Sequence, residues 1–157
     1  MKRLLGSVAG RPHQRGATAI EFAFVFPVLF LLVYGVIVYS YVYVLQQSIT
    51  FAAQHSVDAA VAVSPVPDGD YQARLETRVR AVAVQSLNWL PASQQASVTG
   101  VNGNLVQISY ESLDGGQALR VGLAFNTQGL FPTLVLPLVG AVPPLPAQLR
   151  AQAVTRI

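Results

Sequence analysis

The chain of 157 residues has no cysteine, one methionine, one tryptophan and two histidines. Without cysteine it forms no disulfide and offers no thiolate, which excludes thiol nucleophiles and sulfur-ligated metal sites. The histidines are His13 and His55. Asp58 follows His55 at helical spacing, but no further His or Cys completes a ligand set, so no metal is expected. Charge is scarce as well: Asp, Glu, Lys and Arg together make up 11% of the residues. There is no phosphate-cradling glycine loop with its lysine, no Gly-x-Ser-x-Gly elbow and no His-Glu-x-x-His pair. Glu111 and Asp114 come nearest to a carboxylate pair, yet they straddle a turn where Asp before Gly115-Gly116 serves the backbone. No catalytic residue and no cofactor are expected, and the chain does not read as an enzyme.

The charge that exists is unevenly placed. Of the formal net +3, Lys2, Arg3, Arg11 and Arg15 all lie at the N-terminus, while the remainder holds six Arg against seven acids. No basic patch is left to follow a phosphate backbone, so nucleic acid is not an expected partner.

From Phe22 to Leu45 the chain runs 24 residues without a charge. Only Pro27, Gly35 and Ser40 interrupt its apolar and aromatic character. As a helix at about 1.5 Å per residue it reaches roughly 36 Å, more than the roughly 30 Å hydrocarbon layer of a bilayer. A core helix would keep a polar face, and so small a chain could not wrap this run on every side. A membrane span is the reading, with the lipid bilayer as a partner and Pro27 as a candidate kink site. Basic residues precede the span and the next one after it is Arg74. The positive-inside rule then places the N-terminus in the cytoplasm and the C-terminal part outside the inner membrane. Tyr34, Tyr39, Tyr41 and Tyr43 cluster near the end of the span, as an outer aromatic belt would.

The apolar run is too long for a secretory signal, although Ala52 and Ala53 could imitate a cleavage site beyond it. The other end is more informative. Arg15, Gly16, Ala17, Thr18, Ala19, Ile20, Glu21 and Phe22 place a glycine after basic residues and one carboxylate at the threshold of the span. This string resembles the type IV prepilins, in which a membrane prepilin peptidase cuts after the glycine and leaves Glu as the fifth residue of the mature chain. With Pro27, Gly35, Gln46-Gln47 and Phe51-Ala52-Ala53, residues 15 to 63 look like the TadE-like minor pilins or pseudopilins of tight-adherence (Tad, Flp) pilus systems. The resemblance implies processing at Gly16 and Ala17, and an assembly role for Glu21 and Phe22. It also implies other pilin or pseudopilin subunits and the pilus assembly platform as partners. A permanently anchored envelope protein with a binding or sensing outer domain is the alternative, and an anchored enzyme a third.

The resulting division is a basic leader over 1–16, a transmembrane helix over 17–45 and an extracytoplasmic domain over 46–157. Leu45, Ile49, Ala52, Ala53, Val57, Ala60 and Val61 continue a helical stripe, while Gln47, Gln54, Ser56 and Asp58 fall elsewhere. Ser64-Pro65-Val66-Pro67-Asp68-Gly69 ends that helix. A second helix is expected from about Tyr71 to Leu90, with Asp70 as N-cap and its Arg74, Glu76, Arg78 and Arg80 forming a solvated face. Beyond Pro91 the period becomes two. Strands are expected over 97–101 and 105–111 around Asn102-Gly103-Asn104, then through Leu119, Val121, Leu123 and Phe125, and again over 148–157. The fold class is α+β and pilin-like, a long N-terminal helix packed on an antiparallel sheet of three to four strands. Residues 129–146, uncharged and with five prolines, fit a loop over the sheet edge or an exposed patch that docks a neighbouring subunit.

Overall fold

A computed structural model describes residues 15–64, 70–113, 116–132, 134–136 and 140–157. Residues 1–14 of the expected leader, the expected break at Pro65–Gly69 and the expected turn at Asp114-Gly115 lie outside the described residues. The architecture is α+β, with a long N-terminal helix packed on a three-stranded antiparallel sheet. In order the elements are α1 (Arg15–Val61), α2 (Tyr71–Ser86), α3 (Ala92–Thr99), a 3-10 turn (Val101–Gly103), β1 (Gln107–Leu113), β2 (Gly116–Asn126), β3 (Leu134–Leu136), β4 (Gly140–Val142) and β5 (Gln148–Arg156). Two units can be distinguished, one ending at Ile37 and one comprising Val38–Ile157.

The described part of the first unit is helix. Ile20, Phe22, Phe24, Val25, Val28, Leu29, Leu32, Val36 and Ile37 are all exposed. Such a surface is stable only where something apolar covers it.

The second unit builds its core on α1. Val38, Val42, Leu45, Ile49, Ala52, Ala53, Val57 and Ala60 are buried, recurring at three- and four-residue spacing. The stripe therefore begins seven residues earlier than Leu45. Ser56 belongs to the buried face, contrary to its assignment among the outward polar residues. Its hydroxyl donates 2.6 Å back to the Ala52 carbonyl, which satisfies the group without water. Val61, counted on the apolar face, is exposed in the last turn.

Leu75, Val79 and Ala83 of α2 supply the next layer. The helix stops at Ser86 and not at Leu90, because Leu87 N–H, Asn88 N–H and Leu90 N–H bond three residues back, a tightening that precedes Pro91. Asp70 occupies the N-cap position but makes no side-chain cap bond there. Arg80 is half-buried, so the charged face of α2 is only partly solvated. Its guanidinium donates to the Gly103 and Val106 carbonyls, and its other nitrogen lies 3.6 Å from Glu76.

The strand expected over 97–101 is absent, and α3 and the 3-10 turn take its place. Pro91 starts the helix with its carbonyl accepting from Gln94 N–H and Gln95 N–H, and Gln95 Nε2 ties the segment to the Val84 carbonyl at 2.8 Å. Gly100, at φ +71, ends it, and a Cβ there would meet Asn104 Oδ1 at 1.8 Å.

The sheet order is β1-β2-β5, antiparallel throughout. Leu119, Val121, Leu123 and Phe125 of β2 form its inner row, with Leu123 opposite Ala151 and Phe125 opposite Leu149. Within residues 129–146 a separate two-stranded ribbon, β3-β4, occurs where a loop was expected.

Candidate functional site

The sequence-derived site residues fall at the start of α1. Gly16 and Ala17 lie in its first turn, and Glu21 and Phe22 follow on exposed positions one turn later. A first turn is the weakest part of a helix, since its leading N–H groups have no intrahelical acceptor. Gly16, with the backbone freedom of a residue that has no Cβ, weakens it further. The bond between Gly16 and Ala17 is thus in the part of α1 that unwinds at least cost. Pro27 sits inside the helix, which continues through it, and the missing proline N–H leaves the Ala23 carbonyl without its usual donor.

The helix over Thr18–Val61 is long and apolar enough to cross a membrane, and only 6% of its most apolar window is buried. That low burial separates it from the core helix of a soluble domain.

One feature of this segment was missed in the sequence. Phe22, Phe26, Phe30 and Tyr34 recur every four residues, and their rings stack along one face with successive centroids 5.4, 6.3 and 6.2 Å apart. The i, i+4 spacing was the available signal.

The second unit offers little reactive chemistry among its described residues. No group of three or more His, Cys, Asp and Glu side chains comes together as a metal site there. His55 is exposed and its ring lies 4.1 Å from that of Phe51. Glu111 pairs with Arg120 of the adjacent strand at 2.9 Å, a diagonal cross-strand contact, and Asp114 lies outside the described residues. Tyr110 is the exception in its titration. Burial first, and then the Glu76 carboxylate, raise its pKa above the usual value near 10.

No curated protein and no solved structure matches the chain. Residues 16–61 match the family described as TadE-like protein, an interval that opens on Gly16, contains Glu21, Phe22 and Pro27, and closes at the last residue of α1. The interval is under a third of the chain, and it is there that the chain is similar to the TadE-like family.

Proposed function

We propose that the chain is a minor pilin or pseudopilin subunit with a structural role, trimmed by a prepilin peptidase and assembled into, or priming, a Tad/Flp-type pilus used in surface attachment. The observation that carries the proposal is the position of the TadE-like interval, whose first residue is the glycine after which such a peptidase would cut. Exposed apolar side chains from Ile20 to Ile37 support a helix held in lipid before assembly and between other subunits after it.

In this reading residues 1–16 are a cytoplasmic leader, the helix within 17–45 crosses the inner membrane once, and 46–157 contribute the extracytoplasmic domain. Cleavage creates an α-ammonium on Ala17, four residues from Glu21. Opposite charges at that spacing interact within one helix, and in a bundle the carboxylate of one subunit meets the ammonium of the next. Lipid and neighbouring helices are about equally apolar, so a single charge pair is what gives such a helix an axial register. The partners are then the prepilin peptidase, other pilin or pseudopilin subunits, the assembly platform and the bilayer.

N-terminal sequencing of the protein purified from membranes tests the proposal. A chain beginning at Ala17 supports it. A chain beginning at Met1 favours the permanently anchored alternative.

A further inference from the structure

We infer that the Val38–Ile157 unit rests on the bilayer surface through Leu130, Phe131, Pro144 and Leu145, gathered beside Tyr39 and Tyr41, and that lipid covers this patch. The inference depends on the membrane span proposed above. It concerns a different surface, which the span alone does not require to touch lipid.

Residues 121–149 carry no charge. Of the four named residues, Pro144 is exposed and Leu130, Phe131 and Leu145 are half-exposed. The segment is fastened at two points to the first turn of its unit. The Phe131 ring meets that of Tyr41 edge-on with centroids 5.4 Å apart, and the Tyr39 hydroxyl donates to the Pro144 carbonyl at 3.4 Å. Beside these contacts an open apolar groove of about 650 Å³ is lined by Tyr39, Val42, Tyr43, Val44, Gln46 and Leu149, with no charged side chain.

Chain reach decides where this patch lies. α1 is continuous from Glu21, the last charge before the span, to Tyr39, and over that stretch it rises about 27 Å, close to the roughly 30 Å hydrocarbon layer. The headgroup region of one leaflet is roughly 5–8 Å deep. With Glu21 at the inner edge of the proposed span, Tyr39 lies within about that depth of the outer hydrocarbon edge. Tyrosine suits the position, with an apolar ring and a polar tip. An uncharged apolar surface fixed there meets lipid before any protein partner, and it presents no charge by which a protein partner would be oriented.

The test uses the full chain reconstituted in phospholipid vesicles and the fact that Trp89 is its only tryptophan. In a Trp89→Phe background, single tryptophans are placed by Phe30→Trp, Phe131→Trp or Leu145→Trp, with circular dichroism checking the fold of each. Fluorescence is read with lipids brominated near the headgroup or near the chain ends, and with aqueous iodide. The expected result is that Phe30→Trp loses most emission to deep bromines, while Phe131→Trp and Leu145→Trp lose most to shallow bromines and resist iodide. Using two patch reporters keeps the test decisive if one variant misfolds. If the Phe30→Trp signal is quenched but both patch reporters are open to iodide and indifferent to bromine, the inference is overturned and the span stands. Patch reporters shielded from both quenchers, and unshielded on dilution into excess lipid, would show that a second copy covers the surface, which also overturns it. Failure of Phe30→Trp to respond to any brominated lipid would remove the span and the inference together.

Discussion

The Arg80 guanidinium donates a 2.7 Å hydrogen bond to the Gly103 carbonyl, joining α2 to the turn that leads into β1. A second bond of 3.2 Å reaches the Val106 carbonyl, so one side chain ties two carbonyls of a turn in which Asn102 adopts φ +56. Hydrogen bonds to charged groups contribute about 1.5–3 kcal/mol each when buried. With Arg80 half-exposed, Arg80→Ala is expected to cost about 2 kcal/mol, measured by denaturant unfolding of the detergent-solubilised chain. Exposed Arg78→Ala should stay within about 0.5 kcal/mol of wild type, and equal losses at the two sites would contradict the tie.

Leu123 is 2% exposed and faces the helical layer from the middle of β2. Leu123→Ala should cost about 2–5 kcal/mol, and Leu123→Asp should abolish the cooperative transition, because a carboxylate there has no partner. The structure also sets the boundaries of any soluble fragment. It must begin no later than Val38, since Val38, Val42 and Leu45 are core residues, and a fragment begun at Gln46 is expected to lose its cooperative unfolding transition.

Gly16→Leu adds a bulky side chain where the peptidase must draw the backbone close, and it strengthens the first turn of α1. The expected outcome is a membrane-bound precursor longer than the mature form by the 16-residue leader, visible as slower gel migration and by intact mass. Normal migration would count against cleavage at this bond.

Glu21→Gln keeps the shape of the side chain and removes its charge. Processing should continue, while co-purification with other pilus subunits should fall to background. Recovery at wild-type levels would leave Glu21 without an assembly role.

Tyr110 gives the chain an alkaline limit. Its folded pKa lies above the unfolded value near 10, so the unfolded state releases the phenolic proton first. The full stability is kept below about pH 10 and is lost progressively as pH rises toward the folded pKa. Tyr110→Phe should flatten that loss in chemical unfolding followed from neutral to alkaline pH. An unchanged alkaline slope would show that other groups set it.

The parts legible in the sequence were those whose period extended over several residues. β5 alternates in burial as in sequence, and in β2 the expected row of Leu119, Val121, Leu123 and Phe125 is buried, although Ala118 and Gly122 of the other face are buried as well. The buried stripe of α1 from Leu45 to Ala60 was legible for the same reason. Five residues from Ser97 to Val101 were too few to separate strand from helix, and the deciding contacts, the Pro91 carbonyl with Gln94 N–H and Gln95 N–H and Gln95 Nε2 with the Val84 carbonyl of α2, are turn and tertiary features. Ser56 was misplaced because a hydroxyl that bonds the carbonyl one turn back behaves as a small buried group. The strands β3 and β4 are three residues each, without a polar position, and lie among prolines, so no period of two shows in them. Gly16 and Glu21 could be picked out because a small motif stands beside a long uncharged helix. Their place in the fold adds only that both lie near the start of α1, whereas their roles rest on the TadE-like match.

The burial of α1 from Val38 to Ala60 has a mechanical consequence. A helix joined to its domain by a long stripe of side chains parallel to its own axis is loaded in shear when it is pulled lengthwise. Many contacts must then slip together, whereas a helix attached at one point would peel away contact by contact. Within that unit, tension along α1 is thereby shared among Val38, Leu45, Ile49, Ala53 and Val57, all in its core.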